Sequence, residues 1–95
     1  MKLSDIEKQD LRHAVLYAFA SRPHTPLTAM QVKQSVARLL PFADSIDESD
    51  SLAAIRFHCD LGHLRENMDE WGSETTYTIT AQGTLAHERD QNKIA

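Results

Sequence analysis

The sequence has one cysteine, Cys59, and a single thiol cannot form an internal disulfide. The absence of disulfides is typical of proteins in a reducing compartment. No apolar run approaches the ~18 residues that a membrane-spanning helix needs, and the N-terminal residues lack the apolar centre of a signal peptide. We therefore expect a cytoplasmic protein that does not enter a membrane.

Motifs that carry chemistry are also missing. The chain has no glycine-rich phosphate loop, no nucleophile elbow and no pair of acids suited to catalysis, so we predict a non-enzyme without a cofactor. His58, Cys59 and His63 are close in sequence, but their spacing fits no common zinc pattern and a fourth ligand is not evident. We expect no metal site, with Cys59 in the core, His58 half-buried and His63 in a loop.

What is present is the composition of a folded domain. Of the 95 residues, 41% are hydrophobic and 25% are charged, which is ordinary for a globular protein. A chain of this length can hold one hydrophobic core. We predict a single domain over 1–95, ordered from about residue 4 to residue 89, with a frayed tail over 90–95.

The first predicted helix has a legible beginning and end. Ser4 and Glu7 have the spacing of a capping box, in which each side chain accepts a hydrogen bond from the other residue's backbone N–H. Apolar residues then recur at the spacing of one helix face, at Leu11, Ala14, Val15, Ala18 and Phe19. The helix should stop by Arg22, because Pro23 disfavours helical geometry in the residue before it.

Two more helices follow. Thr28 and Gln31 have the spacing of a second capping box, and Pro41 ends the helix that they begin. A third helix is predicted from about Asp50 to Leu61, ending at Gly62. Its N-terminal cap is one of two polar residues, Asp47 or Ser49.

After the third helix the apolar pattern changes to the two-residue period of β-strands. Leu64–Met68 and Thr76–Thr80 are the predicted strands, and Gly72 with Ser73 marks the turn of a hairpin between them. The residues from Thr80 to Arg89 indicate a short closing helix. The order is therefore three helices, a hairpin and a helix.

This order, with two local motifs, resembles the winged helix-turn-helix superfamily over roughly Leu11 to Arg89. Gly62-His63-Leu64 is similar to the turn that ends the third helix in these proteins, where Gly62 can adopt the left-handed conformation. Tyr77-Thr-Ile-Thr80-Ala-Gln-Gly83 matches the Tyr-x-Ile/Leu-Thr-x-x-Gly ending residue for residue. The resemblance implies an α+β fold with a three-helix core, a hairpin wing and a short C-terminal helix.

The resemblance also implies a function. Winged-helix regulators insert the third helix into the major groove of DNA and touch the DNA with the wing. On this basis we predict a cytoplasmic, DNA-binding, transcription-regulator-like protein that forms a homodimer and shares its ending with some prophage-encoded proteins. The predicted DNA contacts are Ser51, Arg56 and His58 on the third helix and Arg65 near the wing. His58 stands where these proteins usually have Leu.

The charge distribution supports an alternative. Residues 41–75 contain nine acids and two arginines, which gives −7, whereas residues 1–40 carry +3. Carboxylates on the third helix and wing repel phosphate. The alternative is a protein-interaction module that offers this acidic face to a basic protein partner, with Trp71, Asp69 and Glu70 at the interface.

Overall fold

The computed structural model describes residues 3–68 and 74–94. Within them lie four α-helices: α1 (Asp5–Ala20), α2 (Ala29–Ala37), α3 (Glu48–Asp60) and α4 (Ala81–Ile94). A single 3₁₀ turn, Ala43–Ser45, joins α2 to α3. Two antiparallel strands, β1 (Leu64–Met68) and β2 (Thr75–Ile79), lie between α3 and α4. The predicted α+β order of three helices, a hairpin and a helix is confirmed.

The predicted caps define the beginnings of the first three helices. The Ser4 side chain accepts a hydrogen bond from the backbone N–H of Glu7, and that of Thr28 accepts one from Gln31. At α3 the cap is Asp47, one of the two predicted candidates, and α3 begins two residues before the predicted start. In each helix the reciprocal bond of the capping box is also present, so two of the orphan N–H groups are satisfied.

The hydrophobic core is centred on α1, which packs against all three other helices and against β2. Its buried face extends the predicted stripe and includes Val15 and Phe19, both fully buried. From α2 and α3 the core receives Val32, Val36 and Ile55, also fully buried. The apolar spacing of α1 therefore correctly predicted the face that organises the domain.

The hairpin is tied to the helices by a short bridge that the sequence did not indicate. Leu64 pairs with Ile79 and Glu66 with Tyr77 in the β1–β2 register. On the other side of β2, Leu27 and Tyr77 exchange two backbone hydrogen bonds of 3.0 and 2.9 Å. The segment before α2 thus adds a third extended backbone beside the hairpin.

The junction from α3 through the hairpin to α4 depends on two glycines. Gly62 has a φ of +79°, the left-handed conformation predicted for it. Thr80 caps α4 by accepting a hydrogen bond from Gly83 N–H. Helix α4 then extends to Ile94. None of the helices described here is both long and apolar enough to cross a membrane.

Candidate nucleic-acid interface

The buried face of helix α3 includes two polar residues. Its buried residues are Ser51, Ala54, Ile55 and His58, and the exposed fractions of Ser51 and His58 are 0% and 4%. Neither side chain reaches the surface that would meet DNA. The prediction that these two residues contact DNA is corrected on this point, because both face α1 and the core.

His58 is held in the core by hydrogen bonds at both ring nitrogens. Its Nε2 lies 2.8 Å from the backbone oxygen of Arg12, and its Nδ1 lies 3.1 Å from Nδ1 of His63. A carbonyl oxygen only accepts, so Nε2 of His58 carries the hydrogen and its Nδ1 accepts from His63. Burial lowers the pKa of His58, against the raising effect of the bond to Arg12, and neighbouring cationic groups lower it further.

The other two predicted contacts lie at the surface. Arg56 is exposed on α3, and Arg65 is exposed on β1 opposite Thr78. Both guanidinium groups are therefore available to phosphate or to base edges. They are also the two arginines of the acidic segment 41–75.

The N-terminus of α3 is closed to an anion by its own cap. Asp47 accepts hydrogen bonds from the Asp50 backbone N–H at 2.9 Å and from the Ser49 hydroxyl at 2.7 Å. Asp50 in turn accepts from the backbone N–H of Asp47 at 3.0 Å. A helix N-terminus attracts phosphate when its N–H groups are open. Here two carboxylates occupy that position, so phosphate is not expected to bind there.

Helix α2 is cationic, in contrast to the acidic N-terminus of α3. Between Leu11 and Ala43 the chain has four cationic residues and no carboxylate. The net charges summed over residues 1–40 and 41–75 did not show this pattern. Two of the four belong to this helix: Lys33 lies on α2 and Arg38 is its C-terminal cap. Lys33 is half-exposed, and Arg38 and the neighbouring Gln34 are exposed. Helix α2 packs directly against α3. Lys33, Gln34 and Arg38 thus lie on, or at the cap of, a helix that packs against α3.

The residues predicted for a protein interface, Trp71, Asp69 and Glu70, lie outside the described residues. Of the acids that flank them, Glu66 and Glu74 are exposed. The half-buried Cys59 thiol lies near the same strands, and burial raises its pKa, with the carboxylates of Glu66 and Asp60 adding to the effect. A thiol with a raised pKa is a weak nucleophile, so Cys59 gives this surface no covalent chemistry.

A metal site can be tested only within the same part of the chain. Among residues 3–68 and 74–94, no group of three His, Cys, Asp or Glu side chains is arranged to hold a metal ion. The Nδ1 atoms of His58 and His63 face each other and are both engaged in the hydrogen bond between the two rings.

Comparison with known proteins gives a match in structure alone. No known protein family and no curated protein sequence matches the chain. A single-residue mutant of Lactococcus lactis ZitR superposes with a TM-score of 0.66 at 9% sequence identity, covering 95% of this chain and 55% of that one. A second single-residue mutant of the same protein gives a TM-score of 0.66 at 9% identity, with coverages of 97% and 56%. The chain thus spans about half the length of ZitR.

A second protein is matched along most of its length. SSV1 F-93 superposes with a TM-score of 0.62 at 16% identity, covering 87% of this chain and 84% of that one. ZitR and F-93 are winged-helix proteins. At these identities the likeness establishes the fold, so the resemblance inferred from Gly62 and the Tyr77–Gly83 motif is confirmed.

Proposed function

We propose that this winged-helix chain binds duplex DNA through α2 and α3 as a transcription-regulator-like protein, without enzymatic activity. The observation that carries the proposal is that α2, which packs against α3, has cationic residues at its surface and no acid. In a helix-turn-helix the first helix crosses the DNA backbone and the second lies in the major groove. The proposal assigns these two positions to α2 and α3, and the positive charge of α2 suits contact with the DNA backbone.

The proposal gives each exposed cation a place. Lys33 and Arg38 contact phosphates, assisted by the Gln34 amide, and these contacts fix the orientation of the protein without reading sequence. Arg56 is the residue of α3 that reads base edges, because arginine binds the O6 and N7 atoms of guanine in a bidentate manner. Arg65 contacts the backbone from the hairpin.

Four cations set the expected salt dependence. Each neutralised phosphate contributes about −0.9 to the slope of log K against log salt, so Lys33, Arg38, Arg56 and Arg65 together give a slope of about −3.6 at most. We expect weak binding to DNA of arbitrary sequence.

Fluorescence anisotropy with a labelled duplex of arbitrary sequence tests the proposal. We expect binding at low salt with a slope near the value above. The double variant Lys33→Gln, Arg38→Gln should bind more weakly and reduce the magnitude of the slope by about 2. The Arg89→Gln variant removes an exposed charge on α4 and serves as the matched control, because α4 packs against α1 and lies outside the proposed contacts.

Two results would contradict the proposal. The first is the absence of binding at low salt combined with failure to enrich any sequence from a random duplex library. The second is a double variant that binds as the unmodified chain does. The alternative of an acidic protein-binding face is not favoured by the fold comparison, and the homodimer, the prophage kinship and the cytoplasmic location stay predictions.

A further inference from the structure

A pocket of about 220 Å³ opens between α1, the C-terminal half of α3 and α4. Its apolar lining comes from all three helices and the cap of α3: Leu16, Phe57, Leu61 and Ala86. An apolar cavity of about 150 Å³ is large enough to bind benzene, so this pocket has room for a ring or a short aliphatic chain. A pocket of this size and lining can accommodate a ligand with an apolar body.

The polar lining of the pocket is basic. It consists of the Gln9 amide, the Arg12 guanidinium and three histidines, His13, His58 and His63, and no described carboxylate lines it. The chain as a whole carries −4, so this composition departs from the average surface. A lining with a permanent cation, titratable bases and no acid among the described residues favours an anion.

Arg12 is positioned at the pocket by an aromatic ring. Its guanidinium carbon lies 4.1 Å from the ring centroid of Phe57, a cation–π contact that leaves the N–H donors free to bind an oxyanion. On its other side Arg12 borders a smaller cavity lined by Lys8 and Asp50. A bidentate carboxylate would complete the coordination of this guanidinium.

The histidine pair can accept one proton without losing a contact. In the neutral pair, Nδ1–H of His63 donates to Nδ1 of His58, and Nε2–H of His58 donates to the Arg12 carbonyl. A proton from solvent can then bind the remaining ring nitrogen of His63 and leave both hydrogen bonds intact. A second proton would place two N–H groups face to face at 3.1 Å. The pair can therefore hold at most one positive charge.

The groups around His58 oppose a positive charge on this ring until an anion arrives. From α1, Arg12 and His13 both lower the pKa of His58, as does His63 from the turn after α3. From α4 the lining residue is Ala86, which carries no charge. A bound anion would offset this repulsion, and proton and anion would each favour the binding of the other.

We propose that this pocket binds a small organic carboxylate with an apolar body, and that the His58–His63 pair takes up one proton with it. The carboxylate pairs with Arg12 and with the protonated pair, and the apolar body lies on Phe57, Leu16 and Leu61. The proposal does not depend on DNA binding, and its test uses the chain without DNA.

Benzoate is the probe, and benzamide, of the same shape without the charge, is the matched ligand control. Isothermal titration at constant ionic strength should show saturable binding of one benzoate per chain. The affinity should be about tenfold higher or more at pH 6 than at pH 8, as expected for the uptake of a proton over this interval. Benzamide should bind much more weakly and independently of pH.

Three variants separate the parts of the proposal. Arg12→Gln should weaken benzoate binding by about tenfold or more, with partial recovery in Arg12→Lys. His63→Asn keeps an N–H donor for His58 but cannot take the proton, so binding should persist while its pH dependence is lost. Arg22→Gln is the control, because it removes the same charge from the segment beyond α1 and lies outside the pocket.

The proposal is overturned by any of three outcomes, provided that circular dichroism shows each variant to be folded. One is the lack of saturable benzoate binding at either pH. Another is equal binding of benzamide and benzoate, which would show an apolar cavity without anion recognition. The third is Arg12→Gln binding benzoate as tightly as the unmodified chain.

Discussion

Replacing Gly83 by alanine should destabilise the protein, although the same change in most helices has the opposite effect. In an exposed helix, Gly→Ala stabilises by about 1 kcal/mol. Gly83 lies in the first turn of α4 and is buried. A Cβ atom there would lie 2.2 Å from the backbone oxygen of His63 and 2.8 Å from Cγ1 of Ile79.

The cost can be worked out from the distances. Ordinary contact begins at 3.4 Å, so α4 and the His63 backbone would have to separate by about 1.2 Å. The His63 oxygen also accepts hydrogen bonds from the Thr80 N–H at 2.9 Å and the Thr80 hydroxyl at 3.0 Å. A separation of this size stretches both bonds beyond their range, at about 1 kcal/mol each. After the gain of about 1 kcal/mol in helix propensity, we expect a net loss of about 1 kcal/mol.

Urea denaturation followed by circular dichroism measures this loss, and hydrogen exchange locates it. The Thr80 amide should lose protection in Gly83→Ala. Gly62→Ala is the comparison: its cost of about 1 kcal/mol comes from the positive φ, and its Cβ would meet only the flexible Gln82 side chain at 3.3 Å. If Gly83→Ala equals or exceeds the unmodified protein in stability, the close approach of α4 to His63 is refuted.

Two further predictions concern the buried polar groups of α3. Burial holds the pKa of His58 below its ordinary 6.5, so on acidification the unfolded chain binds this proton first. The stability of the fold should therefore fall as the pH drops below 6.5, and ring-proton NMR should show His58 titrating below that value. A urea midpoint that stays constant or rises on acidification would contradict this prediction. The buried Ser51 hydroxyl has no hydrogen-bond partner among the described residues. Ser51→Ala should therefore leave the free energy of unfolding unchanged or raise it by up to about 1 kcal/mol. A loss of more than about 1 kcal/mol in urea denaturation would show that the hydroxyl has a partner.

The sequence predicted best what depends on local chemistry. The helix caps and the left-handed Gly62 each need only a few adjacent residues. The Tyr77–Gly83 motif was matched by resemblance, and the structure supplies its physical reason. Tyr77 fills the core, Thr80 caps α4, and Gly83 admits the His63 backbone at a distance that no side chain allows.

The orientation of α3 was less accessible because polar residues define its buried face. Ser51, Ala54, Ile55 and His58 have the i, i+3, i+4, i+7 spacing of a core stripe, but two of the four are polar, and the apolar residues pointed to a neighbouring face. A signal was present: His58 stands where the superfamily usually has Leu, and the structure gives it that core position. The Leu27–Tyr77 bridge had no such signal, because it joins backbones fifty residues apart.

The charge of −7 over residues 41–75 has a meaning that only the structure supplies. Asp47 and Asp50 belong to the cap of α3, where backbone N–H groups and the positive end of the helix offset their charge. These two carboxylates therefore repel phosphate less than their formal charge indicates, while they occupy the N–H groups that phosphate would otherwise use. In the proposed complex, the favourable field for DNA comes from Lys33 and Arg38 of α2 and its cap, and the proposed approach of the duplex is tilted toward that helix. The double variant at these two residues tests the tilt directly, because a duplex held mainly by Arg56 and Arg65 would hardly respond to their loss.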